Sequence, residues 1–169
     1  LQDTSIGIRY DSCVTGVGLS ELHSFKEMIY EKVQEIKGKL IIKEYPTKSA
    51  TTQTIKIHLE KLKQKDIKGD MILVDYGDLL KPVITTREKR HDLESIYEEL
   101  RAIAQIYKCP VWTASQTNRS GLNAEVITME AISEAYSKCF VADFIFSVSR
   151  TIDDKNNDTG RLFVAKNRF

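Results

Sequence analysis

Cysteine is scarce: Cys13, Cys109 and Cys139 are the only three in 169 residues, widely spaced and set in apolar stretches. An odd number without a clip-like spacing fits buried, reduced thiols better than a disulfide framework, hence a cytosolic setting. His23, His58 and His91 fall at unrelated positions and no C-x-x-C pair occurs, so no zinc site of the usual ligand spacing is expected. A surplus of one charge is also lacking. Lys and Arg number 25 against 24 Asp and Glu, a net charge of +1, which excludes a global field for polyanions and confines any such contact to a local patch. No apolar run reaches membrane length, and residues 1 to 20 carry polar and charged groups throughout, so neither a span nor a secretory signal is expected. Internal repeats and low-complexity tracts are absent too.

What is present is an average globular composition, 41% hydrophobic and 29% charged, in a length that suits one compact domain able to bury a core without metal or disulfides. The chain opens on Leu1 and ends on Phe169 at what reads as a strand end, so a piece of a longer reading frame is expected. Residues 21 to 37 carry Leu22, Phe25, Met28, Ile29, Val33 and Ile36 at helical spacing, with Gly38 as C-cap. Lys39 to Tyr45 is β-prone and ends at Pro46; Ser49 or Thr51 then caps a helix bearing Ile55, Leu59 and Leu62. Met71 to Val74 reads as a central parallel strand covered on both faces, ending on Asp75. Between His91 and Tyr107 seven apolar positions trace one helical face, and Cys109-Pro110 stops that helix before the buried run Val111 to Ser115. Thr128 caps a helix through about Lys138, after which Phe144 to Val148 and Arg161 to Ala165 read as antiparallel strands joined by the polar stretch 153 to 160. Strands alternating with helices of this length predict an α/β layered domain with a largely parallel central sheet.

Three constellations can carry chemistry, each with a plainer alternative. Met71 to Tyr76 delivers the Asp75 carboxylate to a strand end, where it can hold the water shell of a magnesium ion beside a nucleotide or merely cap a turn. Val111 to Arg119 brings a strand out at a cluster of amide, hydroxyl and guanidinium groups, where Gln116 can bond a γ-phosphate or an attacking water; an ordinary polar loop has the same composition. Phe163 to Arg168 places Lys166 and Arg168 two residues apart, on one side of a strand, suited to a shared polyanion or to protecting a sheet edge. The loops at the same sheet end add Lys81, Arg87, Lys89 and Arg90, then Arg119, Gly121 and Asn123; these can follow a nucleic-acid backbone or simply be solvated. Trp112, inside an apolar strand, reads as core.

In order and spacing these elements resemble the DnaB-like hexameric replicative DNA helicases, which carry a RecA-type ATPase core, and most of all those of large T-even-type tailed phages. Gly38 to Thr47 looks like the strand before that family's Walker B strand, Glu98 to Ala104 like the helix after it, and Val111 to Gln116 and Lys166 to Phe169 extend the match nearly end to end. The resemblance implies a RecA-like three-layer fold with a mostly parallel central sheet and a C-terminal antiparallel strand pair, the N-terminal part of the fold missing. It implies Asp75 as the Walker B aspartate that organises Mg at ATP or another NTP, and Gln116 as the γ-phosphate sensor coupled to the DNA-binding loop. Arg168 becomes the arginine finger and Lys166 its companion, both acting on nucleotide held by a neighbouring subunit of a hexameric ring. Residues 119 to 135 overlie the loop that grips single-stranded DNA, although the arginine that bacterial members place there has no counterpart among residues 128 to 135. Implied partners are single-stranded DNA, other copies of the chain, a primase and a helicase loader, in the cytoplasm of a bacterial host and without a membrane.

Two features depart from the family. No G-x-x-x-x-G-K-[ST] occurs in the 169 residues, so the backbone cradle for β- and γ-phosphates is not encoded here. The family's catalytic glutamate belongs at or just before residue 1, and Asp3 looks instead like a helix cap. Residues 1–169 are therefore expected to be the C-terminal portion of a helicase motor domain, its phosphate loop not included, and inactive alone. Another RecA-type ATPase, such as a recombinase or clock-protein relative, and a non-catalytic RecA-fold interaction module are the alternatives. Ser115-Gln116 and the terminal Lys-x-Arg lean toward the helicase.

Overall fold

The computed structural model describes residues 3–116, 126–128 and 137–168. The single compact unit expected from length is instead two, residues 1–46 and 47–169.

In the first unit helix α1 (Asp3–Thr15) opens on Asp3. Gly16 comes next in the left-handed region at φ 75°, where its N–H bonds Ser12 O at 2.8 Å; glycine adopts that conformation at no steric cost and so ends the helix. The segment expected as one helix over residues 21 to 37 begins as a 3-10 turn, Leu22–Phe25, and continues as α2, Lys26–Gln34. It stops before Gly38 because Ile36 N bonds Val33 O, a tighter i to i−3 closure that ends the α pattern. Residues 39–45 form no ladder; β-prone composition makes a strand only where a neighbour supplies hydrogen bonds.

The second unit opens on α3, Thr52–Lys63, capped as expected: the Thr51 hydroxyl accepts from Thr54 N, and the Thr54 side chain accepts from Thr51 N. Strand β1 is Ile72–Val74, helix α4 Lys89–Tyr107 and strand β2 Val111–Thr113. The α4 helix buries Leu93, Ile96, Leu100 and Ile103, the stripe predicted from its periodicity. It ends with Lys108 in the left-handed region and Pro110 beyond. Ile96, Leu100 and Ile103 form the core against Ile55 and Leu59 of α3 and Ile72, Val74 and Val111 of the strands.

The strands β1 and β2 run parallel, with Ile72 opposite Val111 and Val74 opposite Thr113. Contrary to expectation, β1 is covered on one face only among the described residues. Ile72 and Val74 point into the core, whereas Leu73 is 69% exposed; the apolar cluster gathers on the α4 side. Trp112, across from Leu73, is likewise not core but 40% exposed, with the rings of Phe144 and Phe146 edge-on at 6.5 and 5.8 Å. Helix α5 (Ser137–Val141) leads into β3 (Phe144–Ser149), short helix α6 (Ile152–Asn156) and β4 (Arg161–Asn167). The last two strands are antiparallel, as expected, and form their own ladder. The largely parallel sheet is thus one parallel pair among the described residues. The helix expected from Thr128 lies mostly outside them.

The cysteine expectation holds in part. Cys109 and Cys139 are buried and free, but Cys13 is exposed. Among the described residues no helix is long and apolar enough to cross a membrane.

Candidate functional site

Parallel strands in register leave the sheet at the same edge, so the residues after Val74 and after Thr113 emerge side by side. Thr113 ties the two exits together: its hydroxyl donates to Val74 O at 2.9 Å and accepts from Gly77 N at 2.8 Å. Gly77 is buried under Tyr97, and a Cβ there would lie 3.2 Å from Thr113 Oγ1 and from the Tyr97 ring, so the turn is held close enough to favour glycine. Asp75 stands exposed at the edge, joined to Tyr76 by a cis peptide. From the other strand Gln116 Nε2 donates to the Tyr76 hydroxyl at 2.9 Å. The structure therefore brings the Asp75 and Gln116 segments to one place.

Beneath this edge lies a group that sequence reasoning missed. Asp78 receives Lys138 Nζ at 3.0 Å on each oxygen, the Tyr97 hydroxyl at 2.8 Å and the Ser115 hydroxyl at 3.1 Å. Lys138 Nζ also donates to Ser115 Oγ at 2.7 Å and sits 5.4 Å from the centre of the Tyr97 ring. The Lys138 side chain is only 2% exposed, so the carboxylate, the hydroxyl and the aromatic face replace the water an ammonium requires. Burial, then the Asp78 charge, push the Tyr97 hydroxyl well above its ordinary pKa. The only local hint is a lysine leading into the apolar run Cys139-Phe140-Val141.

The cations at the end of β4 are placed otherwise than expected. Ala165 is an extra residue in the ladder, since Ile145 faces Lys166 and Phe146 faces Val164; such a bulge re-aims the side chains beyond it. Lys166 Nζ donates to Cys139 O at 2.7 Å and Phe140 O at 3.2 Å. Arg168 donates through Nη2 to Phe140 O and through Nη1 to Asp143 at 2.9 Å. Both share one side, as their spacing predicts, but they grip their own chain: the carbonyls at the end of α5 attract cations through the helix dipole. Arg101 joins them, donating to Val141 O at 2.6 Å and pairing with Asp143 at 2.8 Å. Desolvation, then the neighbouring Arg168 charge, lower the Lys166 pKa.

Of the proposed DNA contacts, Arg87 is exposed in the loop after β1, whereas Lys89 and Arg90 are not loop residues but open α4, also exposed. The difference arises from Thr86 and Asp92, which order the approach: Asp92 Oδ1 accepts from Thr86 N and Oγ1 at 2.7 Å each. Arg119 lies outside the described residues, as does most of the span 119–135.

Asp75 makes no hydrogen bond among the described residues, and no group of three His, Cys, Asp or Glu there could enclose a metal. Asp78, the other carboxylate at this edge, is consumed by Lys138. A single free carboxylate fits Mg²⁺, which commonly takes one or two protein carboxylates and fills its remaining positions with water and phosphate oxygens.

Comparison with known proteins gives a consistent picture. Residues 7–169 match the family described as the DnaB-like helicase C terminal domain. A DnaB-like replicative helicase of Enterobacteria phage T4 is 31% identical over 118 residues, which is 68% of this chain and 25% of that protein. The chain thus spans about a quarter of that relative's length. Among solved structures, one ATPase domain superposes with a TM-score of 0.77 at 15% identity, covering 99% of this chain and 64% of the other. A DnaB-like replicative helicase, studied with its interactions with primase, gives 0.78 at 15% identity, covering 99% and 43%. At that identity the structural likeness establishes the fold, a RecA-like α/β arrangement.

Proposed function

The chain belongs to the DnaB-like helicase C-terminal domain family, and on that premise we propose that residues 1–169 are the C-terminal portion of a RecA-like motor within an ATP-dependent replicative helicase. The whole protein, on this reading, hydrolyses ATP or another NTP and moves along single-stranded DNA as a ring, unwinding duplex. The observation that carries it is the Gln116–Tyr76 hydrogen bond, which joins the amide at one strand exit to the residue after Asp75 at the other.

Asp75 would hold Mg²⁺ through its water shell; the ion, when bound, neutralises charge on the phosphates. The Gln116 amide can exchange its Tyr76 hydroxyl partner for a phosphate oxygen or water, a neutral group that reads the γ-phosphate by presence or absence. Lys166 and Arg168 would serve nucleotide on an adjacent subunit after leaving the α5 carbonyls. Single-stranded DNA, further copies of the chain, a primase and a loader are the proposed partners, and Arg87, Lys89, Arg90 and Arg119 the proposed backbone contacts.

The test uses the full-length protein. Asp75→Asn is expected to lower ATP hydrolysis on the order of a hundredfold, and Gln116→Ala to keep nucleotide binding while losing stimulation by single-stranded DNA. A wild-type protein that neither binds nor hydrolyses nucleotide would sink the proposal in favour of a non-catalytic module.

A further inference from the structure

Lys138 stands at a junction that none of the roles above uses. Its ammonium joins Asp78, three residues beyond Asp75, to Ser115, the residue before Gln116. Its own helix, α5, supplies the carbonyls of Cys139 and Phe140 that seat Lys166 and Arg168. One buried cation thus connects both strand exits to the element that holds the terminal cations. Replacing a buried ion pair by neutral groups of similar shape is often harmless to stability; a role confined to packing would therefore not require this arrangement.

We propose that Lys138 is a positioning residue for nucleotide turnover, fixing Asp75 and Gln116 at one edge and, through α5, the seat of Lys166 and Arg168. It touches no substrate itself and acts through Asp78 and Ser115. The inference rests on the function proposed above. A shift of about an ångström in a reacting group costs up to about a hundredfold in rate, so small displacements of these strand exits suffice to be read.

Three variants of the full-length protein test it, with thermal midpoint, kcat and KM for ATP measured on each. Lys138→Met leaves the half-buried Asp78 carboxylate without its cation and lowers both midpoint and kcat. Lys138→Met combined with Asp78→Asn removes both charges; its midpoint returns to within a few degrees of wild type, while kcat stays about tenfold or more down and KM changes far less. Ser115→Ala keeps the ion pair, removes the hydroxyl that ties it to the segment after β2, and lowers kcat with little change in KM, while its midpoint falls less than that of Lys138→Met. If the double variant recovers kcat together with its midpoint, or if Ser115→Ala and a folded double variant both turn over like wild type, Lys138 serves stability alone and the inference fails. Should the double variant not fold, Ser115→Ala decides: wild-type turnover overturns the inference. A wild type without turnover overturns the proposed function, and this inference with it.

Discussion

Arg101 and Arg168 converge on one oxygen, lying 2.8 and 2.9 Å from Asp143 Oδ1. All three side chains are partly exposed, so each pair is screened and contributes only about 0–1 kcal/mol. Weak pairing suits the proposed trans role, in which Arg168 would leave its own chain for a phosphate on an adjacent subunit. Asp143→Ala removes both pairs and is therefore expected to change unfolding free energy by no more than about 2 kcal/mol, with nucleotide hydrolysis by the full-length protein largely retained. Arg168→Ala should abolish hydrolysis while isolated subunits still bind nucleotide. Unchanged turnover in Arg168→Ala would refute the trans role; a loss in Asp143→Ala as deep as in Arg168→Ala would mean that Asp143 is needed to aim the guanidinium.

The core makes a sharper stability forecast from two isoleucines one turn apart. Ile103 is completely buried at the centre of the apolar cluster, whereas Ile106 on the same helix is exposed. Ile103→Ala removes the same atoms as Ile106→Ala, but opens a cavity between α4 and the strands. It should cost about 2–5 kcal/mol, against about 0.5 kcal/mol or less at Ile106. Urea unfolding of the two variants checks this; equal losses would place the core elsewhere.

Contrasts of this kind mark how far amino-acid order alone reveals a fold. The α4 stripe is legible because a long helix repeats its buried positions, and the start of α3 because Thr51 caps it with local atoms. The hairpin of β3 and β4 is legible from two apolar runs around a polar turn. Residues 39–45 mislead because strand formation depends on a neighbour that composition does not name. Leu73 and Trp112 mislead for a related reason, since an apolar strand does not reveal whether its second face is covered. Asp75 and Gln116 stand out because both sit at strand ends. Lys138 does not, because a lysine pairing with a carboxylate sixty residues earlier looks locally like any solvated charge. Likewise, nothing near Lys166 and Arg168 in the chain announces the α5 carbonyls that seat them.

Alkaline pH should expose the buried hydroxyls and thiols. Burial, then the Glu60 hydrogen bond and charge, push the Tyr107 hydroxyl from 10.0 to about 12, and Tyr97 is raised further in the same direction. Burial raises the Cys109 and Cys139 thiols from 9.0 as well. A raised value in the folded state means that the native protein holds the proton more tightly. The stabilisation is full below the unfolded value and is lost as pH climbs toward the folded one. Thermal midpoints should therefore begin to fall near pH 9 and fall more steeply between pH 10 and about 12. Tyr107→Phe, which lacks the ionisable hydroxyl, should flatten the upper part of that decline. A Tyr107→Phe curve parallel to wild type through this range would show that Tyr107 does not contribute.

The open face of the parallel pair has a consequence for the isolated chain. Leu73 and Trp112 sit opposite one another on that face, and Phe144 and Phe146 extend the apolar surface beyond Trp112. Contiguous apolar surface of this kind drives association in water unless something covers it. The 169-residue chain should therefore sediment as concentration-dependent oligomers. Leu73→Lys places a charge at the centre of the patch without touching the Ile72 and Val74 side chains that face the core. It should shift the distribution toward monomer and change unfolding free energy by no more than about 1 kcal/mol. Sedimentation velocity at several concentrations separates the outcomes. If wild type is monomeric throughout, the face is too small or too well solvated to associate. If Leu73→Lys associates as strongly as wild type, the contact lies on another surface.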